Sequence, residues 1–356
     1  PDSIIMTENK KNILIVKPSA LGDIIMALPA LSALRKRFPQ GKISWLVRPE
    51  FADILRQHPL VDEVILFDRK FLGKAWYNIK ALSAIFALIK TLRDRNFDLT
   101  VDLQGLFRTA GLCWLSGCKK RFGMADGREF APIFYTDKIT PGDDAVHMVD
   151  YYLKVAQAAG GDISQIDFAI PQNYQADIAI DNLLKKHNIT RGNYVVLMPG
   201  SAHQDKCWSV DRFAAVADKI KTQFDFDVIA VGSKSEKPLC DNLIAAAKSH
   251  VINLAGQTNI SELVSLIRGA KLAITNDTGP GHIAVALGVE VVFLFGPSNP
   301  ARIGPYKKDD SFIAVAVDSW QREFRSSDPK YCIDAITVEQ VYEKVSKKLK
   351  KIVTSN

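Results

Sequence analysis

The sequence lacks the features that mark several common classes of protein. No stretch approaches the roughly 18 uninterrupted apolar residues of a membrane-spanning helix, so no such helix is expected. The five cysteines are odd in number and no pair has the C-x-x-C spacing, which argues against a disulfide framework or a zinc site. We therefore expect Cys113 and Cys118 to be reduced core thiols. The first residues, PDSIIMTENKKN, do not resemble a secretory signal, and a cytoplasmic enzyme is the simplest interpretation.

Several catalytic motifs are also absent. There is no G-x-G-x-x-G, which disfavours a dinucleotide-dependent oxidoreductase, and no G-x-x-x-x-G-K-[ST], which disfavours a P-loop kinase. The motifs H-E-x-x-H and G-x-S-x-G are missing as well, and no metal-ligand cluster is apparent. The sequence therefore predicts no metal site.

The composition is that of a globular protein with a basic excess. The 356 residues suffice for two domains, and a hydrophobic content of 47% allows each domain a core of its own. The formal net charge of +7 favours an anionic partner. A phosphorylated substrate, an acidic glycolipid, a membrane surface and a nucleic acid all fit this charge.

Strand-like and helix-like segments alternate through both halves, which indicates parallel sheets with helical crossovers. Strands are predicted at Ile13–Val16, Lys42–Val47, Val61–Phe67, Leu99–Leu103, Tyr194–Met198, Asp227–Val231, Val251–Leu254, Leu272–Thr275 and Glu290–Phe295. The pattern pauses near Pro171. We predict two Rossmann-like α/β domains, residues 1–175 and 176–356, facing across a cleft, with the last helix a candidate to pack back on the first domain.

One predicted helix, Ala75–Arg95, carries an apolar stripe at helical spacing. The stripe consists of Ile79, Leu82, Ile85, Phe86, Ile89 and Leu92. Core packing is the expected role of such a stripe. Contact with a membrane surface or a partner is the alternative.

Asp23 lies at the mouth of the first helix, just after the turn that follows the first strand. Ligands of open α/β sheets bind outside the carboxyl ends of strands, where a carboxylate can take a proton from a substrate hydroxyl. An acid at a helix start can also serve only as a cap. Both roles remain open for Asp23 from its position alone.

The strongest local pattern is Asn276–His282, NDTGPGH, a turn between a predicted strand and a helix. Backbone N–H groups at such a turn suit a diphosphate, Thr278 adds a hydroxyl, and Gly279 and Gly281 permit close approach of the backbone. The alternative is a turn that starts a helix and binds nothing.

Two further side chains follow strands of the second half. Lys206 lies in a turn after the first strand of the second half and can neutralise a phosphate. The alternative is an ordinary surface lysine. Glu236 follows the next strand, where an acid of a Rossmann-type domain commonly holds a ribose diol.

Basic residues cluster in the first half. Lys119, Lys120 and Arg121 precede the segment FGMADG and Arg128 follows it, in what the sequence predicts to be a loop. The loop is either an anion-binding surface or simply solvated.

Five segments together resemble the ADP-heptose:lipopolysaccharide heptosyltransferases, inverting glycosyltransferases of family 9 with the GT-B fold. They are KPSALGDIIMALPAL, DLQGLFRT, PGSAHQDKCWSVDRF, ITNDTGPGHIAVALGV and LFGPSNPARIGPY, in this order, and the resemblance that rests on them covers nearly the whole chain. The resemblance implies an N-terminal domain that binds the acceptor and a C-terminal domain that binds ADP-heptose.

The resemblance also implies roles for individual residues. Asp23 matches the general base, and Lys206 matches the lysine that faces the donor phosphates. The implied donor-binding residues are Ser201, Glu236, Asp277, Thr278, Gly279 and His282. The implied acceptor-binding residues, proposed only as a group, are Arg69, Arg108, Arg121 and Arg128.

The expected enzyme is most like heptosyltransferase I. Its implied acceptor is Kdo-lipid A or heptosyl-Kdo-lipid A, at the inner face of the cytoplasmic membrane of a Gram-negative cell, and no nucleic acid is involved. No cofactor is expected, and a divalent metal would at most stimulate the reaction. The alternatives are a heptosyltransferase II-like enzyme, another GT-B sugar-nucleotide enzyme such as a hexosyltransferase or a UDP-sugar epimerase, and a non-catalytic protein that binds acidic glycolipid or nucleic acid.

Overall fold

The computed structural model describes residues 10–143, 146–315, 324–326 and 328–354. The chain forms two compact units that divide between Pro171 and Gln172, whereas the predicted boundary lay between residues 175 and 176. The boundary falls earlier because Asn173 caps the first helix of the second unit, where its side chain accepts a hydrogen bond from the backbone N–H of Ala176.

The first unit is built on a six-stranded parallel sheet with the order β3-β2-β1-β4-β5-β6. Its strands are β1 (Asn12–Val16), β2 (Lys42–Val47), β3 (Glu63–Leu66), β4 (Leu99–Asp102), β5 (Arg121–Met124) and β6 (Asp137–Ile139). Its α-helices are α1 (Leu21–Arg37), α2 (Asp53–Arg56), α3 (Arg69–Leu72), α4 (Ile79–Asp94), α5 (Phe107–Leu115) and α6 (Met148–Ala158).

The second unit has a sheet of the same kind, with the order β12-β11-β10-β7-β8-β9. Its strands are β7 (Tyr194–Met198), β8 (Asp227–Ala230), β9 (Val251–Asn253), β10 (Leu272–Asn276), β11 (Glu290–Phe295) and β12 (Phe312–Ala314). Its α-helices are α7 (Tyr174–Lys186), α8 (Val210–Phe224), α9 (Lys237–Ala246), α10 (Ile260–Arg268), α11 (Gly279–Ala286), α12 (Pro300–Ile303) and α13 (Val338–Thr354).

The central strands are apolar along their whole length because helices cover both faces of a parallel sheet. Residues 13–16 of β1 and 194–197 of β7 are inaccessible to solvent. The last helix, α13, contributes Val341, Val345 and Leu349 to the hydrophobic core of the second unit. Its buried apolar face therefore belongs to its own unit.

Each sheet has a point at which the direction of its crossovers reverses. In the first sheet β1 pairs with both β2 and β4, and in the second β7 pairs with both β8 and β10. From one neighbour of the central strand the chain crosses over in one direction, and from the other neighbour it crosses over in the opposite direction. This reversal opens a crevice at the carboxyl ends of these strands. Ligand-binding residues are therefore expected in the loops after β1 and β4, and after β7 and β10.

The expectation of core packing for the apolar stripe of α4 was wrong for much of the stripe. Leu92 is buried, but Ile79 is 81% exposed and Phe86 is 63% exposed. The face that packs on the sheet is instead formed by Ala81, Leu88 and Leu92. The helix thus has two apolar faces and only one is covered, although in the described part of the chain no helix has the length and apolar content needed to cross a bilayer.

The prediction about the cysteines is confirmed. All five thiols are free, and Cys113 and Cys118 are buried in the first unit. Both contribute to the cluster that packs α4 and α5 on the sheet.

Candidate active site

The loops after β7 and β10 are held together by one buried amide. Asn276, the last residue of β10, donates from Nδ2 to the carbonyl of Pro199 at 2.7 Å and accepts from the backbone N–H of Trp208 at 3.1 Å. Ser201 adds a third link, because its hydroxyl donates to the carbonyl of Asp277. These bonds fix the two loops of this crevice relative to each other.

Lys206 and Asp277 meet in this crevice. Nζ of Lys206 lies 2.5 Å from Oδ2 of Asp277, and the two side chains are only 16% and 7% exposed. The hydroxyl of Ser298 donates to the same carboxylate oxygen at 2.7 Å. Lys206 is therefore not an ordinary surface lysine but half of a mostly buried ion pair.

The charge of Asp277 is stabilised from two sides. Burial alone would raise its pKa, but the neighbouring His282 imidazole and the positive charge of Lys206 outweigh burial and hold the pKa well below its usual range. Nε2 of His282 lies 3.9 Å from Oδ1, and the imidazole is itself buried. His282 therefore supports Asp277 from within the protein.

The start of α11 borders the same crevice. Thr278 occupies the N-cap position of this helix without capping it through its side chain, and both Thr278 and Gly279 are half-buried. Close approach to a ligand does not explain Gly281, however, because a Cβ there would lie 2.5 Å from the ring of Phe293. Gly281 is needed to pack α11 on the sheet.

Glu236 lies over the end of β7. One carboxylate oxygen accepts from the backbone N–H of Ser233 at 2.6 Å. The other lies so close to Gly200 that a Cβ at this position would be 2.1 Å from it. A side chain at position 200 would force the Glu236 carboxylate to move, so the glycine leaves room for this carboxylate in the crevice.

Asp23 lies in the corresponding crevice of the first unit. It is the third residue of α1, and Oδ2 accepts from the backbone N–H of Ala20 at 3.0 Å. Its side chain is 36% exposed. The predicted cap is therefore present, and the carboxylate still reaches solvent.

Lys17 and Asp102 flank this crevice and were not among the predicted site residues. Nζ of Lys17 donates to the carbonyl of Leu103 at 3.0 Å and lies 3.9 Å from Oδ1 of Asp23. Burial lowers the pKa of Lys17, and the charges of Asp23 and Asp102 offset part of this effect. The signal in the sequence was a charged residue directly after the first buried strand and another at the end of β4.

Asp102 is fully buried. It accepts hydrogen bonds from the hydroxyl of Tyr135 at 2.8 Å and from the backbone N–H groups of Gln104 and Gly105. Burial raises the pKa of Asp102, and these hydrogen bonds oppose the rise. The carboxylate holds the loop after β4 in place.

The structure separates the four predicted acceptor arginines. Arg69 and Arg108 lie in the first turns of helices that follow β3 and β4, and Arg128 follows β5, so these three lie at the carboxyl edge of the sheet with Asp23. Arg121 is the first residue of β5 rather than part of a loop, and its guanidinium donates to the carbonyls of Cys118 and Phe134, both at 2.6 Å. The prediction that Arg121 lies in a loop is therefore wrong, because this residue starts a strand at the opposite edge.

A groove of about 750 Å³ lies elsewhere in the second unit, between β12 and α13. Lys344, Lys347 and Lys351 are among the residues that line it. None of the predicted site residues does so, and we do not assign this groove to the active site.

Residues 85–333 match the model of glycosyltransferase family 9 (heptosyltransferase). The chain is 28% identical to the lipopolysaccharide core heptosyltransferase OpsX of Haemophilus influenzae over 335 residues, which cover 90% of this chain and 89% of that protein. It is 26% identical to lipopolysaccharide heptosyltransferase 1 of Escherichia coli K12, over 83% of this chain and 91% of that protein.

A solved structure shares the architecture. The heptosyltransferase WaaC of Escherichia coli, solved with ADP-2-deoxy-2-fluoro heptose, superposes with a TM-score of 0.75 at 23% identity, over 94% of this chain and 99% of that chain. This likeness and the two parallel-sheet units identify the GT-B fold.

Proposed function

The chain belongs to glycosyltransferase family 9, the heptosyltransferases, and we propose that it moves a heptose from ADP-heptose to the Kdo region of lipopolysaccharide, as a heptosyltransferase I. The observation that carries this proposal is the ion pair between Lys206 and Asp277 beside the start of α11, in the crevice after β7 and β10. The similarity to heptosyltransferase 1 of Escherichia coli supports the type.

The second unit is the proposed donor-binding unit. An ammonium carries three N–H donors, and only one is needed for Asp277, so Lys206 retains donors for the diphosphate. The backbone N–H groups at the start of α11 and the Thr278 hydroxyl add further donors for this anion. Glu236 is the proposed acceptor for the ribose hydroxyls. It would use the carboxylate oxygen that lies beside Gly200 and does not accept from Ser233.

Asp23 is the proposed general base. In the inverting reaction, the acceptor oxygen forms a bond to the anomeric carbon while the bond from that carbon to the ADP oxygen breaks. Asp23 takes the proton of the attacking hydroxyl, and Lys206 with the α11 N–H groups stabilises the charge that grows on ADP. The exposure of the Asp23 carboxylate is compatible with this role.

The acceptor is the proposed ligand of the loops at the carboxyl edge of the first sheet. Arg69, Arg108 and Arg128 remain the candidates for its anionic groups. The proposal places the reaction in the cytoplasm at the inner face of the membrane of a Gram-negative cell, and it includes no required cofactor or metal.

The decisive experiment measures ADP release from ADP-heptose with a deacylated Kdo-containing acceptor. Turnover that needs both substrates supports the proposal. ADP binding without turnover would retain the donor site and refute this acceptor. Thermal shift with ADP, UDP and GDP tests the donor, since the true nucleotide stabilises the protein most, and a larger shift with UDP would favour a different sugar-nucleotide enzyme.

A further inference from the structure

Large apolar side chains are exposed on one part of the first unit. Ten of the fourteen that are exposed in the described part of the chain belong to residues 66–133, which make up less than a fifth of the sequence. Exposed apolar patches of this kind mark interaction surfaces.

The centre of this region is what we call the α4 surface. It comprises the exposed apolar residues Trp76, Tyr77, Ile79, Leu82 and Phe86 together with the exposed lysines Lys74 and Lys80. Ile79, Leu82 and Phe86 share one helix face because they are spaced by three and four residues. Trp76 is 86% exposed, in the connection that leads into α4.

The charge of the region is strongly positive. Residues 66–133 contain twelve Lys or Arg and six Asp or Glu, so they account for +6 of the chain's formal charge of +7. Within the described residues, the ammonium groups of Lys74, Lys80, Lys119 and Lys120 have no carboxylate partner. An occupant of the surface must therefore be both apolar and anionic.

We propose that the α4 surface binds the surface of an anionic phospholipid bilayer. Apolar and aromatic side chains enter the boundary between headgroups and acyl chains, while lysines contact the anionic headgroups. A symmetric pairing with a second copy would place like charges against each other. A nucleic acid would meet the lysines but leave Ile79, Leu82 and Phe86 without an apolar partner.

The connection that carries Trp76 and Tyr77 follows β3, so it lies near the carboxyl edge of the sheet, as does the turn that holds Asp23. This inference rests on the proposed function insofar as the acceptor is lipid-linked, because the bilayer would then adjoin the loops assigned to that acceptor. Binding to the bilayer itself does not depend on turnover.

Vesicle co-sedimentation tests the proposal. The wild type is expected to bind vesicles of phosphatidylglycerol and phosphatidylethanolamine, more weakly at high salt, and to bind phosphatidylcholine vesicles poorly. The variant I79S/F86S is expected to lose about tenfold or more in partitioning, and K74E/K80E about fivefold or more per lysine. All four substitutions are at exposed positions, and circular dichroism checks that the variants fold.

The matched controls lie in the second unit. Tyr174 and Ile178 are exposed apolar residues of α7, and Lys185 and Lys186 are exposed lysines of the same helix. Y174S/I178S and K185E/K186E are expected to bind vesicles as the wild type does.

Three results would overturn the proposal: a wild type that does not bind anionic vesicles, α4 variants that bind undiminished, or sedimentation velocity in which I79S/F86S abolishes a dimer without affecting vesicle binding. Turnover of the deacylated acceptor separates this proposal from the proposed function, because the α4 variants should turn it over normally. Vesicle binding by a protein that releases no ADP would retain the α4 surface and refute the proposed enzyme.

Discussion

Lys206 and Asp277 form an ion pair with 2.5 Å between Nζ and Oδ2, and both side chains are largely withdrawn from solvent. Asp277 is held in turn by the hydroxyl of Ser298 and lies beside His282. The pair therefore fixes the ammonium in the crevice of the second unit before any ligand is bound. A lysine that is already oriented loses less side-chain freedom when it binds a diphosphate.

Breaking this pair should destabilise the protein. Lys206→Met leaves the Asp277 carboxylate buried without its cation, and we expect the free energy of unfolding to fall by about 3 kcal/mol. The double variant K206M/D277N should lose less than the sum of the two single variants, because it leaves no buried charge. Urea denaturation measures all three. Lys221, which pairs with Asp227 at a more exposed site, provides the control, and Lys221→Met should cost at most about 1 kcal/mol. Equal losses for the two lysine variants would contradict the assigned importance of the buried pair.

The lowered pKa of Asp277 predicts a loss of stability in acid. An unfolded aspartate titrates near pH 3.9, and the folded protein holds the pKa of Asp277 below this value. The unfolded state therefore binds more protons as the pH falls below about 5, and the stability that Asp277 contributes declines. The difference in free energy of unfolding between the wild type and Asp277→Asn should shrink from pH 6 to pH 3. A difference that stays constant or grows would refute the assignment, and Asp211→Asn, at an exposed position, is the control.

The sequence predicted where the charged residues of the candidate site lie better than it predicted which residues they pair with. Buried apolar strands followed by charged or glycine-rich turns indicated where strands end, because the ends of parallel strands are marked by a change from apolar to polar residues. Asp23 and Asp277 were predicted in this way to follow the ends of strands, and the structure places both there. The pairing of Lys206 with Asp277 spans 71 positions and depends on β7 lying next to β10, which no local pattern encodes.

Two errors have the same physical origin. Arg121 was assigned to a loop because β5 is short and contains a glycine. Its strand pattern was therefore weak, whereas its positive charge was evident from the sequence. The apolar stripe of α4 was assigned to the core because helical periodicity reports that a face is apolar but not whether another element covers it.

Burial of Lys17 predicts a change of stability in alkali. Burial lowers the pKa of Lys17 below its usual value of 10.5, so the unfolded state binds more protons in the window between the lowered value and 10.5. Stability contributed by Lys17 should accordingly rise with pH through this window. The free energy of unfolding of the wild type, measured relative to Lys17→Met, should increase from pH 8 to pH 10.5. Lys185→Met, at an exposed position, should show no such trend relative to the wild type, and a falling difference for Lys17→Met would contradict the burial of the charge.

No step of the proposed reaction uses a metal ion. The charge that grows on ADP is met by Lys206 and by the N–H groups at the start of α11, which are built into the fold. Treatment with a chelator followed by gel filtration should therefore leave most of the rate of ADP release. Loss of turnover after this treatment, restored by added magnesium, would show that the protein's own groups are insufficient.

Substitutions of Asp23 can distinguish its role as a helix cap from its proposed role as the general base. The side chain of Asp23 accepts a hydrogen bond from the backbone N–H of Ala20, and an asparagine can accept the same bond but cannot take a proton. Asp23→Asn should therefore keep the cap and the affinity for ADP while the rate of ADP release falls by about 10²–10⁴-fold. Asp23→Ala should lose both the rate and about 1 kcal/mol of stability, because it also removes the cap.

The matched control is Asp211→Asn, which changes another acid in the first turn of a helix and should leave the rate unaffected. If Asp23→Asn retains its full rate while Asp23→Ala is only destabilised, Asp23 is a helix cap and the general base must be sought elsewhere in this crevice. If both variants lose the rate but Asp23→Ala loses more stability than Asp23→Asn, the cap and the base are two separable roles of one carboxylate.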